Sequence, residues 1–165
     1  MILLILTILG AYAAFSVSRA DALGRPDIHI NLIETYNFPD DGATAAFHVN
    51  FHNDGTESGP FEVKIGLVAG SPAFIHSAEV ENVPSGTASI SCIKLSSIAV
   101  KCMVSGMAKD SDDAVIHLNM ISTDVRGGSA RGQLGAHTIG PDREKDPTDN
   151  EASARFFVFE DGGDN

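Results

Sequence analysis

"AAFHVNFHNDG", residues 45–55, decides how this chain is read. Ala45, Phe47, Val49 and Phe51 occupy every second position, while Thr44, His48, Asn50 and His52 fall on the alternate ones. A period of two places the apolar set on one face of an extended strand and the polar set on the other. His48 and His52 are then roughly 13 Å apart, at about 3.3 Å per residue. One ion cannot be held by both from a single straight strand, although the same spacing on a helix would chelate. The stretch is expected to be a strand with a solvent-facing polar side. "HNDG" ends it in a turn, with Gly55 free to take a positive φ.

The same alternation runs outward in both directions. Ile28, Ile30 and Leu32 share a face in "DIHINLIET". Phe61, Val63, Ile65 and Leu67 share one in "PFEVKIGLV", and Ala114, Ile116, Leu118 and Met120 share one in "DAVIHLNMIS". The closing segment "EASARFFVFE" is apolar on both faces around Phe156–Phe159, so its inward face stays open. Between these runs lies turn chemistry: "FPDDG", "AGSP", "VPSG", "SGMAKDSDD", "VRGG" and "GPDREKDPTDN". Short strands at this spacing, without helical periodicity, predict an all-β, immunoglobulin-like antiparallel sandwich of about seven to nine strands.

The chain has 165 residues, a formal net charge of −11 and 43% hydrophobic residues. That is enough apolar material for one domain with a core. The acidic balance argues against nucleic acid as a partner, because phosphate binding needs Lys and Arg to displace counterions. Residues 1–22 form a separate segment. Met1 to Val17 carry no charged side chain, and Ala20 and Ala22 fit the small-residue pattern ahead of a signal-peptidase cut. This apolar helix is expected to be a signal peptide, or else an uncleaved membrane anchor with Arg19 and Arg25 beyond it. Either reading puts the sandwich, residues 23–160, outside the cytoplasm, secreted or at the cell surface. Residues 161–165 are an acidic tail.

Cys92 and Cys102 are the two cysteines, symmetric about Ser97. A hairpin of residues 88–95 and 99–106 would set them directly opposite, with Ile90 facing Val104. An exported chain makes a structural disulfide the expected outcome.

"VNFHNDGTESGPFEVKIGL", "SCIKLSSIAVKCMVSGMAKDSDDAVIHLNM" and "DREKDPTDNEASARFFV" together resemble the bacterial domain of unknown function eleven, and the first part resembles the related cell-adhesion-related domain found in bacteria. The shared features are the Asn53–Gly55 strand end, the Cys92 and Cys102 hairpin, the Gly106–Asp110 bend and the closing turn with Asp146, Pro147 and Asn150. Two departures stand out: Lys109-Asp110 replaces a usual glycine, and Asn150 is single where a pair is common. The resemblance covers roughly residues 27–160. It implies an immunoglobulin-like domain of exported surface proteins, often in tandem arrays, with no catalysis and no active-site residues.

Calcium is the sharpest candidate ligand. Asp142, Asp146, Asp149 and Asn150 offer oxygens in the closing turn, with Glu144 and Glu151 beside them and Asp40 and Asp41 in "FPDDG". The alternative is a solvated acidic turn with local side-chain–backbone bonds. No other cofactor is expected. Hydrolase chemistry lacks its signatures, since neither G-x-S-x-G nor HExxH is present. The six histidines, His29, His48, His52, His76, His117 and His137, fall mostly at strand positions alternating with apolar residues, which places them on outer faces. The expected role is an exported, non-catalytic surface interaction, adhesion or spacer module. Its partner would be a protein or glycan, or a second copy paired through an edge strand. The alternative is a subunit of an extracellular filament or membrane-anchored assembly that keeps residues 1–22. The membrane is involved only through those residues.

Overall fold

A computed structural model describes residues 24–33, 38, 42–123, 125, 128–140 and 144–160. The apolar leader, the acidic tail, Asp40, Asp41 and Asp142 lie outside the described residues. The described strands in chain order are β1 (Ile28–Ile33), β2 (Thr44–Asn53), β3 (Phe61–Leu67), β4 (Ala73–Asn82), β5 (Ile90–Ser96), β6 (Ala99–Val104), β7 (Ala114–Ser122), β8 (Ser129–Ile139) and β9 (Glu151–Phe159). Among the described residues the one helical element is a short 3-10 turn, Pro147–Asp149.

The strands form two antiparallel sheets, one in the order β1-β2-β7-β4 and one in the order β5-β6-β3-β8-β9. Alternation dictates their stacking. Phe47, Val49 and Phe51 of β2 with Ile116, Leu118 and Met120 of β7 point inward from the first sheet. They meet Val63 and Ile65 of β3, Leu134 of β8 and Phe156 of β9 from the second. A sandwich of two half-apolar sheets is the arrangement that buries both greasy faces at once. The nine strands match the expected architecture.

The last strand resolves to one face. Phe156 and Val158 are fully buried, while Phe157 and Phe159 point outward and stack on each other at 6.5 Å. Phe156 closes an aromatic cluster with Phe38 and Phe47, at centroid distances of 5.5 and 5.7 Å in edge-on geometry. Its ring lies over Gly132, its register partner on β8, where any Cβ would overlap the ring. The close approach explains why an inner strand of the sheet carries a glycine there. Gly55 differs from expectation: it is not among the positive-φ glycines. It is glycine because a Cβ would collide with the backbone of residues 25–27 that crosses over the turn. Asp110 does take a positive φ of 47°, at the bend where the resembled family usually has glycine. Aspartate tolerates that conformation better than most residues.

Candidate functional site

The expected strand end at Asn53 is a junction. Asn53 is fully buried and its side chain makes four hydrogen bonds. Oδ1 accepts from the Asp27 and Gly55 amides at 3.0 and 3.1 Å, and Nδ2 donates to the Thr56 and Ala108 carbonyls at 2.6 and 2.9 Å. It ties the entry to β1, the turn after β2 and the 106–111 bend to one point. That point carries the carboxylates Asp27 and Asp54 beside the first histidine pair.

Four histidines, His29, His48, His52 and His117, lie on the outer face of the β1-β2-β7 strands. The pairing register sets His29 of β1 opposite His52 of β2, and His48 of β2 opposite His117 of β7. The two pairs of rings stack at 5.1 and 5.0 Å. His48 and His52 thus do not share a site, as their spacing dictates, but each acquires a cross-strand partner. Around His29 and His52, Asp54 Oδ2 lies 3.5 Å from both Nε2 atoms. Asp113 Oδ1 is 2.8 Å from His52 Nδ1 and Asp149 Oδ2 is 3.0 Å from His29 Nδ1. Asp27, with its side chain 5% exposed, is held by Lys145 at 2.8 Å, while its Oδ1 has no hydrogen-bond partner. Around the second pair, Glu81 Oε2 is 3.3 Å from His48 Nε2, and the buried Nε2 of His117 has no partner.

The closing turn distributes its oxygens among different tasks. Asp146 Oδ1 accepts from Thr148 N and Thr148 Oγ1, at 3.0 and 2.6 Å, and caps the 3-10 turn. Those bonds hold its carboxyl below the usual aspartate range. Asn150 Oδ1 accepts from Thr138 Oγ1 at 2.5 Å, and Asn150 Nδ2 donates to Glu144 at 2.5 Å. The other Glu144 oxygen accepts from the Ile28 amide at 2.7 Å, so the turn fastens β1 to β8 and β9. Burial raises the Glu144 carboxyl above its ordinary range, against the pull of these bonds. Burial likewise raises Asp149, against the pull of His29. Of the calcium candidates, then, Asp146 and Asn150 make local bonds, Asp149 faces a histidine, and Asp142 lies outside the described residues.

Cys92 and Cys102 are joined by a disulfide across β5 and β6, in direct register and with Ile90 opposite Val104. The outer face of this sheet is unlike the histidine face. Gly66, Ala99, Gly135 and Ser153 lie side by side across four strands and leave a groove of about 640 Å³, flanked by Leu95, Lys64 and His137. Among the described residues, every exposed large apolar side chain but Val83 belongs to this sheet or to a turn leaving it.

Asp54, Glu81 and Asp113 were not singled out by sequence reasoning, and neither histidine pair was assembled. One signal was present: His-apolar-Asn recurs at His29–Asn31, His48–Asn50 and His117–Asn119, on three strands that turn out to be neighbours.

No protein-family profile matches the chain, and no curated protein matches it in sequence. Solved structures are similar. The CARDB domain of a Pyrococcus furiosus protein, solved in complex with di-metal ions, has a TM-score of 0.52 at 12% identity, covering 83% of this chain and 90% of that one. A cohesin module from a family 33 glycoside hydrolase of Clostridium perfringens has 0.51 at 14%, covering 83% and 98%. The cohesin of a type I cohesin–dockerin complex from Clostridium thermocellum has 0.53 at 8%, covering 82% and 96%. At such identities the likeness is one of fold, and the described residues form an immunoglobulin-like β-sandwich of the kind that CARDB and cohesin modules share.

Proposed function

We propose that this protein is an exported, non-catalytic interaction module that binds a partner protein through the outer face of its five-stranded sheet. The observation that carries the reading is the uneven division of exposed apolar surface. Ile93 and Leu95 are 55% and 57% exposed along the β5 edge, and Phe157 and Phe159 are exposed on β9, with the small-residue groove between them. Exposed large apolar side chains gathered on one face, here along its two edge strands with polar side chains between, are the composition of an interaction surface. The groove is a shallow trough with small residues along its floor and Lys64, His137 and Glu151 side by side at one end, an open mixed surface that suits a protein partner. Export is supported by the uncharged leader and by the disulfide, which persists in oxidising compartments. The order of the Asn53–Gly55, Cys92–Cys102 and Asp146–Asn150 features supports kinship with the bacterial domain of unknown function eleven. That the cohesin fold holds a dockerin in the Clostridium thermocellum complex supports a protein as the occupant.

Site-specific photocrosslinking tests this. A photoreactive residue at Leu95, in the protein expressed in its native host, is expected to give one dominant adduct. The Ile93→Glu/Leu95→Glu variant is expected to lose that partner without losing the fold. Equal crosslinking from positions on both outer faces, or a partner retained by the double variant, rejects the assignment.

A further inference from the structure

The opposite face carries different chemistry. We propose that His29, His52 and Asp54 form a binding site for one divalent transition-metal ion of the zinc class, with Asp149 and Asp113 as positioning residues behind the two imidazoles.

Tautomers follow from the hydrogen bonds. A carboxylate only accepts, so the 2.8 Å contact of His52 with Asp113 and the 3.0 Å contact of His29 with Asp149 each put a proton on Nδ1. With that proton on Nδ1, the uncharged form of each ring carries its lone pair at Nε2. Both of these atoms face the same Asp54 oxygen at 3.5 Å, and the three atoms all lie within 4.8 Å of one another. Three acceptors converge with no donor among them. A metal ion bound by all three resolves that arrangement without a further proton on either ring, and the two 3.5 Å distances to Asp54 approach a metal's spacing: ligand bonds of about 2.0–2.1 Å at tetrahedral angles place neighbouring ligand atoms about 3.3–3.4 Å apart.

Backing an imidazole Nδ1–H with a carboxylate is how histidine ligands are oriented and made more basic in zinc sites. Here both rings are backed this way. The charges agree: Asp27, Asp54, Asp113 and Asp149 surround the rings, and Lys145 is the cation paired within the group, through Asp27. Two imidazoles and one carboxylate favour zinc, copper, nickel or cobalt over calcium, which takes six to eight oxygens. Asp54 is 58% exposed, so the fourth position opens to solvent and to any ligand arriving from outside. His29 and His52 sit on paired strands anchored by Asn53, which hold them adjacent, and their rings, stacked 16° from parallel, tilt toward each other to bring both Nε2 lone pairs onto one ion.

The test uses the full chain, disulfide intact and treated with EDTA, titrated calorimetrically with zinc chloride in a non-chelating buffer near neutral pH. One ion of micromolar or tighter affinity is expected at this site, and cobalt substitution is expected to give the visible absorption of a tetrahedral site. Asp54→Asn, an exposed change that spares the fold, and His52→Gln are each expected to remove that binding event. Asp113→Asn is expected to weaken it about 10–100-fold while the protein remains folded by circular dichroism. His48→Ala, in the other histidine pair, is expected to leave it intact. No zinc binding, binding unaffected by both His52→Gln and Asp54→Asn, or calcium binding with zinc excluded overturns the assignment.

Discussion

Asn53 shows how one polar side chain can hold a fold's corner together. Each of its hydrogen-bonding groups is matched, so truncation strands two amides and two carbonyls at once. Asn53→Ala is expected to destabilise by about 3–5 kcal/mol in urea unfolding, since each buried group left unmatched costs about 1–3 kcal/mol and the exposed ones less. Asn-x-Gly was legible in sequence as a strand end, but the side chain's role was not, because two of its partners, Asp27 and Ala108, are remote in the chain. Asp149 gives a second prediction. Burial raises its folded pKa above the ordinary 3.8, so the protonated form favours folding. That contribution is complete below the unfolded value and is lost as pH rises through the folded one. Asp149→Asn removes the loss. In metal-free protein the variant is expected to be more stable than wild type at pH 7, with the difference fading as pH falls below about 4. Parallel thermal melts across pH measure it, and a difference that grows with acidification contradicts the sign.

At the level of the element, the β5–β6 hairpin and the β8–β9 pair differ in how openly they are written. The cysteine spacing about Ser97 set the hairpin register, and the structure keeps it, with Cys92 opposite Cys102. Closing a loop this small contributes roughly 2.5–3 kcal/mol by the chain-entropy relation. Cys92→Ala/Cys102→Ala is expected to lose about that much in denaturant midpoint analysis, and no loss would place the hairpin's stability elsewhere. β8 is harder to read. Gly132 interrupts its inward apolar series and Gly135 falls on the outward face, and the reasons lie on β9 and β3: Gly132 makes room for Phe156, and Gly135 lies beside Gly66 in the floor of the groove. Gly132→Ala is expected to cost about 1–3 kcal/mol by overpacking against a ring whose neighbours, Phe38 and Phe47, leave it no retreat. The near-ultraviolet circular dichroism of the aromatic cluster should change with it.

Across the whole molecule, both sheets contribute to one core, so neither can unfold and leave the other's inner face dry. The sandwich is therefore expected to melt in a single cooperative transition, with tryptophan-free probes such as far-ultraviolet dichroism and calorimetry coinciding. Two separated transitions would show that the sheets are independent. The outer faces are where the molecule becomes asymmetric, one grooved and bearing most of the exposed apolar side chains, the other imidazole-bearing and acidic. Alternating side chains, turn residues and cysteine spacing sufficed to determine two stacked sheets, because period and local backbone preference are properties of neighbours along the chain. Which strand lies beside which was decided only by the tertiary structure. His29 meets His52, and Phe156 meets Gly132, through pairings between segments distant in sequence, and a strand's own pattern names its faces but not its neighbours.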